Sequence, residues 1–255
     1  MTGKKKSHSE VNKYVDFSEL DPFVLSQYRN TFELAFPEII LSSEVVKSCW
    51  DKVEKYFPHY QRILIGQNSD LIGFINTVPL HWDGLLTDLP SAGWDWLINK
   101  GISDYENGLV SNCLGGLQVV VSKNYLGGGY SKKLIAEGKS IQEKSGFKNF
   151  IIPIRPTFKS KHPEVRMKDY MHLEKGGNIY DPWIRTHLKS GAQVIKVCSN
   201  SMNVKGDLPF WENLVGQKIS QSGTYVVEGA LNLVDVNVEK NSGEYREENI
   251  WIKYS

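Results

Sequence analysis

The chain has 255 residues, 40% hydrophobic and 23% charged, the proportions of an ordinary globular protein. A formal net charge of +1 excludes a global field that would recruit nucleic acid or an anionic membrane. No apolar run reaches the length of a bilayer span and the N-terminus lacks a signal-peptide core, so no membrane partner and a cytoplasmic location are expected.

In chain order, residues 1–19, with the run Lys4-Lys5-Lys6, read as a flexible terminus, and 20–255 as one domain. Asp21 caps a helix that starts at Pro22 and runs to Ala35. Ser42 to Phe57 carries Val45, Val46, Cys49, Trp50, Val53 and Phe57 at helical spacing. Gln61–Gln67 and Leu71–Pro79 are apolar runs split by Asn68-Ser69-Asp70, the pattern of a β-hairpin. Residues 82–112 read as an inserted segment holding Trp82, Trp94 and Trp96, which serve either a ligand-facing wall or simple anchoring to the core.

After Gly115-Gly116 comes a strand, Leu117–Ser122, then Gly127-Gly128-Gly129, then a helix over Tyr130–Lys144 and a strand over Phe150–Ile154. A second Asp-Pro pair, Asp181-Pro182, opens a helix that runs to Ser190 and stops at Gly191. Ala192–Ser199 and Tyr225–Val238 are predicted strands, with a helical piece near Pro209–Val215 between them. Asn249–Tyr254 closes the chain as a strand. Cys49, Cys113 and Cys198 are widely spaced and form no C-x-x-C pair; buried inert thiols, and no metal, are the expectation.

A glycine loop feeding a helix is chemically informative. Glycine lets the backbone approach a ligand closely, and the unpaired first-turn amides favour an anion such as phosphate. The spacing is neither G-x-x-x-x-G-K-[ST] nor G-x-G-x-x-G. It fits Q/R-x-x-G-x-G/A with Gly127 and Gly129 as the glycines, and in this the chain resembles the GNAT acyltransferases. Asn124 stands where that family usually has Gln or Arg, and Ser131 where a third glycine is common. The order of elements over roughly residues 20–240 matches as well.

The resemblance implies an α/β (α+β) GNAT fold: a mixed central sheet with two splayed strands, flanked by helices. It implies acetyl-CoA or another acyl-CoA as co-substrate, its pyrophosphate on Gly127, Gly128, Gly129, Tyr130, Ser131 and Lys132. Its pantetheine arm would pair with the amides of Val119 and Val121. His187, four residues before Gly191, stands where many GNAT enzymes keep a proton-donating tyrosine. An unperturbed imidazole titrates near 6.5, so the expectation is a proton donor active near neutral pH.

A narrower resemblance rests on Phe74 through Trp82, Arg155-Pro156-Thr157, Pro182 through His187 and Ser201-Met202. It is to the GNAT-like loading domains of modular polyketide synthases and their stand-alone bacterial relatives, some of which decarboxylate malonyl-type thioesters. Thr157 and His187 match the threonine and histidine at the reacting end, with Thr157 a donor to a carbonyl or carboxylate. Trp82 or Trp94 matches the tunnel tryptophan, and Arg155 could steer a carboxylate. The family arginine has no counterpart, since no arginine lies between Arg185 and Arg246 and Asn200 sits about where it would fall. Three readings stand: an acyl-CoA-dependent acyltransferase acting on a small amine, a thiol or an acyl carrier protein; a decarboxylase; and a non-catalytic acyl-CoA-binding module.

Overall fold

A nine-stranded mixed sheet organises the protein in this computed structural model, which describes residues 12–254. The strands are β1 (Lys13–Asp16), β2 (Gln61–Ile65), β3 (Leu71–Leu80), β4 (Cys113–Val121), β5 (Asn149–Ile154), β6 (Glu174–Lys175), β7 (Asn178–Ile179), β8 (Gln193–Gly206), β9 (Gly223–Tyr225), β10 (Val234–Asn237) and β11 (Ser242–Tyr254). The helices are α1 (Pro22–Ala35), α2 (Glu38–Leu41), α3 (Glu44–Tyr56), α4 (Gly93–Glu106), α5 (Tyr130–Lys144), α6 (Met167–Tyr170), α7 (Pro182–Lys189) and α8 (Leu208–Val215). The sheet runs β1-β2-β3-β4-β5-β11-β10-β9, with β8 also paired to β11, and β6-β7 form a separate hairpin. Pairing is antiparallel throughout except between β4 and β5.

Apolar side chains cover both faces. On one, α3 and α4 pack Trp50, Val53, Leu97 and Ile98 with Val78, Met202 and Trp251. On the other, Leu134 and Ile135 of α5 and Ile184 of α7 pack with Ile75, Phe150 and Ile252. The Asp-Pro starts behave as the sequence leads one to expect: the Asp21 carboxylate accepts from the Val24 amide at 2.9 Å, and Asp181 accepts from Trp183 and Ile184 at 2.9 and 3.1 Å.

Four expectations change. Within residues 1–19, Lys13–Asp16 form an edge strand on β2, and the Tyr14 hydroxyl donates to the Lys133 carbonyl at 2.9 Å; the lysine run lies outside the described residues. Gly115-Gly116 belong to β4 instead of preceding it. Tyr225–Val238 is two short strands, β9 and β10, paired to each other. The 82–112 segment contains α4, a 14-residue helix whose Gly93 and Gly101 weaken the helical signal. Gly93 is there for contact: a Cβ would strike the Ser201 hydroxyl. Among the described residues no helix is long and apolar enough to cross a membrane.

Candidate functional site

The parallel ladder between β4 and β5 is short. Cys113, Leu114 and Gly115 pair with Asn149, Phe150 and Ile151, and beyond them the strands part. Two local features account for the parting. The β3–β4 register shifts between Asn76 and Thr77, leaving Leu117 as an extra residue on β4; a bulge of this kind bends its strand. The Leu117 carbonyl is then taken by the Trp94 indole N–H at 2.8 Å. On β5, Pro153 lies two residues past the last paired position and has no N–H with which to extend a ladder.

The open edge of β4 faces the gap. The Ser122 amide donates to the Ile72 carbonyl at 2.9 Å, turning Ser122 towards β3. Antiparallel alternation then turns Val120 and Gln118 the same way, and the amides of Val119 and Val121 away from β3. At the end of β4, Gly127 (φ +79°) and Gly129 (φ +76°) hold left-handed conformations suited to glycine. A Cβ on either would meet nothing within 4 Å, so the space beside them is open. Gly129 caps α5 with no side chain over the first turn, which leaves helix amides there available to an anion.

A cleft of about 570 Å³ occupies the gap and passes through the sheet. On the α5 side it is lined by Val119, Val121, Leu126 and Ser131. Its other end is walled by Phe32, Phe36, Trp50 and Trp94, and Thr157, Trp183 and His187 line it as well. Val119, Val121, Ser131, Trp94, Arg155, Thr157 and His187 therefore meet in one cavity. Gly127, Gly128, Gly129 and Tyr130 lie between two lining residues, Leu126 and Ser131. Lys132 is exposed on the first turn of α5, its amide on the Gly129 carbonyl.

His187 is 1% exposed. Its Nδ1 lies 2.7 Å from the Tyr254 hydroxyl, the Trp183 ring stands edge-on at 4.2 Å, and Nε2 has no partner among the described residues. Burial lowers its pKa to about 3, so the imidazole is neutral at physiological pH. The expected acid titrating near neutrality is thereby corrected: desolvation disfavours the cation, and no carboxylate beside it compensates. Burial also holds Tyr254 protonated, its pKa raised by desolvation. In the tautomer in which the Tyr254 hydroxyl donates to Nδ1, the ring proton lies on Nε2.

Two further expectations fail. Trp82 is absent from the cleft lining: it packs edge-on against Trp96, which packs on Trp251, so it anchors the segment. Arg155 lines the cleft but its guanidinium is engaged. Nε donates to both Glu247 oxygens at 3.1 and 3.0 Å, and an Nη donates to the Gly229 carbonyl at 2.5 Å.

Glu247, Asn249 and Met202 also line the cleft; Met202 belongs to the Ser201-Met202 pair of the narrower resemblance, while nothing local in the sequence marks Glu247 and Asn249. Glu247 is fully buried and accepts from the Tyr245 hydroxyl at 2.8 Å and from the Asn249 amide at 3.0 Å, besides Arg155. The irregular β8–β11 register between Glu247 and Asn249 turns these side chains inward. Ser201 ties the bulge to α4, donating to the Asn249 carbonyl at 2.6 Å and accepting from the Trp94 amide at 2.9 Å. Nearby, desolvation pushes the Asp95 carboxyl up to about 7. Among the described residues no group of three or more His, Cys, Asp or Glu could hold a metal ion.

The fold has known counterparts. The loading GNAT-like domain of CurA from Lyngbya majuscula superposes with a TM-score of 0.53, at 14% identity, over 96% of this chain and 97% of that one. The GphF GNAT-like decarboxylase, in complex with isobutyryl-CoA, superposes with a TM-score of 0.54, at 13% identity, over 96% and 98%. The chain has the GNAT fold. By sequence it is 25% identical over 245 residues to the arginine N-acetyltransferase avaD of Aspergillus versicolor, covering 85% of this chain and 84% of that protein. No family model matches.

Proposed function

We propose that the protein transfers an acyl group from an acyl-CoA thioester directly to an amine. The carrying observation is that one cleft is lined by residues from both faces of the sheet. The free amides of Val119 and Val121 and the glycine loop lie on one side, an aromatic pocket on the other. A donor laid along β4 brings its thioester to the middle of that passage, where an acceptor from the far side reaches it. The pyrophosphate belongs on the amides of Gly127 and of Gly129 to Ser131, with Lys132 beside them; the Gly128 amide is already on the Tyr125 carbonyl.

The acceptor nitrogen attacks the carbonyl carbon, the C–S bond breaks, and the sulfur departs as thiolate. The nitrogen's proton leaves to solvent and the thiolate takes one back, so the sum is proton-neutral. His187 serves as a neutral Nε2–H donor to the negative charge that develops at the reacting end, with Thr157 a second donor. The similarity to a protein named as an arginine N-acetyltransferase supports an amine acceptor.

Decarboxylation is the second reading, favoured by the shared cleft of Thr157, Trp94 and His187. Against it stands the charge inventory: among the lining residues the single guanidinium, Arg155, is bound to buried Glu247 and is not free for a carboxylate. Incubation with acetyl-CoA and a panel of L-arginine and phenethylamine, and separately with malonyl-CoA, decides among the readings. Amine-dependent thiol release is the expected result. Acetyl-CoA formed from malonyl-CoA would establish the decarboxylase, and binding without turnover the non-catalytic module.

A further inference from the structure

A row of three amide side chains crosses the sheet and ends in the cleft. Gln61, Asn76 and Gln118 sit in register on adjacent strands β2, β3 and β4. Gln61 and Asn76 are fully buried. The Gln61 Nε2 donates to two main-chain carbonyls, Phe57 at 2.9 Å and Thr77 at 2.8 Å. Carbonyls only accept, so this end of the row has one allowed orientation. Gln61 Oε1 must then accept from Asn76 Nδ2, at 2.9 Å, and Asn76 Oδ1 must accept from Gln118 Nε2, at 2.7 Å. Two backbone carbonyls thus fix the direction of every amide in the row.

The last atom of the row is Gln118 Oε1. It has no donor among the described residues, and its side chain lines the cleft. Gln118 immediately precedes Val119, whose amide faces the gap, and it shares a sheet face with Asn76, which touches Tyr28 of α1. That is the face carrying the aromatic pocket of Phe32, Phe36 and Trp50. Aligned hydrogen bonds polarise one another, so the terminal oxygen is a better acceptor than an isolated amide. It cannot rotate to offer its NH₂ without stranding the buried Asn76 carbonyl.

We infer that Gln118 is a specificity-determining residue: its Oε1 accepts an N–H of the incoming amine and selects primary amines with an apolar body. The inference rests on the transfer reading above. An amide oxygen is no base, so Gln118 orients the nucleophile and takes no proton. A primary amine that gives one N–H to Gln118 keeps its lone pair and a second N–H, the one lost after attack. An N-methylated amine must surrender its single N–H to one of these uses.

The test compares acetyl transfer to phenethylamine and to N-methylphenethylamine by the wild type and by Gln118→Leu, with Gln118→Met as a length-preserving second variant. The wild type should favour the primary amine at least about tenfold in kcat/KM, a typical difference for one hydrogen bond in a pocket. In both variants that preference should fall towards one. The KM for phenethylamine should rise about tenfold, and coenzyme A affinity by calorimetry should stay within about twofold. A merely structural role would weaken both amines alike and keep the ratio. An unchanged ratio in active variants overturns the inference and leaves transfer standing. Wild-type transfer to L-arginine but to neither of these amines overturns the inference and leaves transfer standing, and no transfer to any of the three overturns the transfer reading and this one with it.

Discussion

An imidazole that is 1% exposed, held at Nδ1 by a tyrosine hydroxyl and flanked by an indole edge, stays neutral until about pH 3. The catalytic use proposed for it is therefore that of a hydrogen-bond donor, whose removal typically lowers turnover by about 10²–10³. His187→Ala should show that loss with coenzyme A affinity nearly intact, and the wild-type kcat should show no ionisation of this group between pH 6 and 9. A variant with wild-type turnover would reduce His187 to a helix-end packing residue. The same burial governs stability. The folded pKa lies below the ordinary value of about 6.5, so between the two the unfolded chain binds the extra proton. Stability is full above about pH 6.5 and falls on acidification, by at most about 1.4 kcal/mol per pH unit. His187→Gln should flatten thermal stability against pH between 6.5 and 4. The position of this histidine was legible in the sequence from Asp181-Pro182 and Gly191. Its ionisation was not, because its burial depends on Tyr254, 67 residues away, as well as on Trp183 of its own helix. Likewise Arg155 reads as a free cation until Glu247, 92 residues on, is brought against it.

Among the elements, the glycine loop and α5 carry the donor end of the proposal. Gly129 sits at φ +76° as the N-terminal cap of α5, where any side chain is strained and a branched one also intrudes on the open space beside the loop. Gly129→Val should weaken coenzyme A binding about tenfold or more by calorimetry while the thermal transition remains cooperative. Undiminished affinity in a folded variant would remove the loop from the account. These elements were readable because their signals are local: capping residues, a triple glycine, apolar periodicity over 130–144. Strand β1 and helix α4 were not. The edge strand exists because Tyr14 and Asp16 find partners on β2 and α5, and α4 tolerates two internal glycines because β3 and β8 press against them. The tryptophans of that segment divide by contact: Trp94 reaches the Leu117 carbonyl and lines the cleft, while Trp82 packs edge-on against Trp96.

At the scale of the whole molecule, the cleft exists because four distant segments converge on a place where the sheet fails to close. The β4 bulge opens it, α4 holds it open through Trp94, and the β8–β11 irregularity lays Glu247 and Asn249 along it. The strand β4 keeps its full ladder to β3 and none to β5 beyond Gly115, so a specific set of amides is free. Unpaired main-chain amides exchange with solvent readily and are protected when a ligand takes their hydrogen bonds. Amide hydrogen exchange with and without saturating acetyl-CoA, read residue by residue across 113–135, tests the central claim directly. The account predicts slowed exchange at Val119, Val121, Gly127 and Gly129 to Ser131, with Val120, already bonded to β3, and Gly128, already bonded to the Tyr125 carbonyl, unchanged. Protection that falls elsewhere, or none at all with ligand bound, would contradict it.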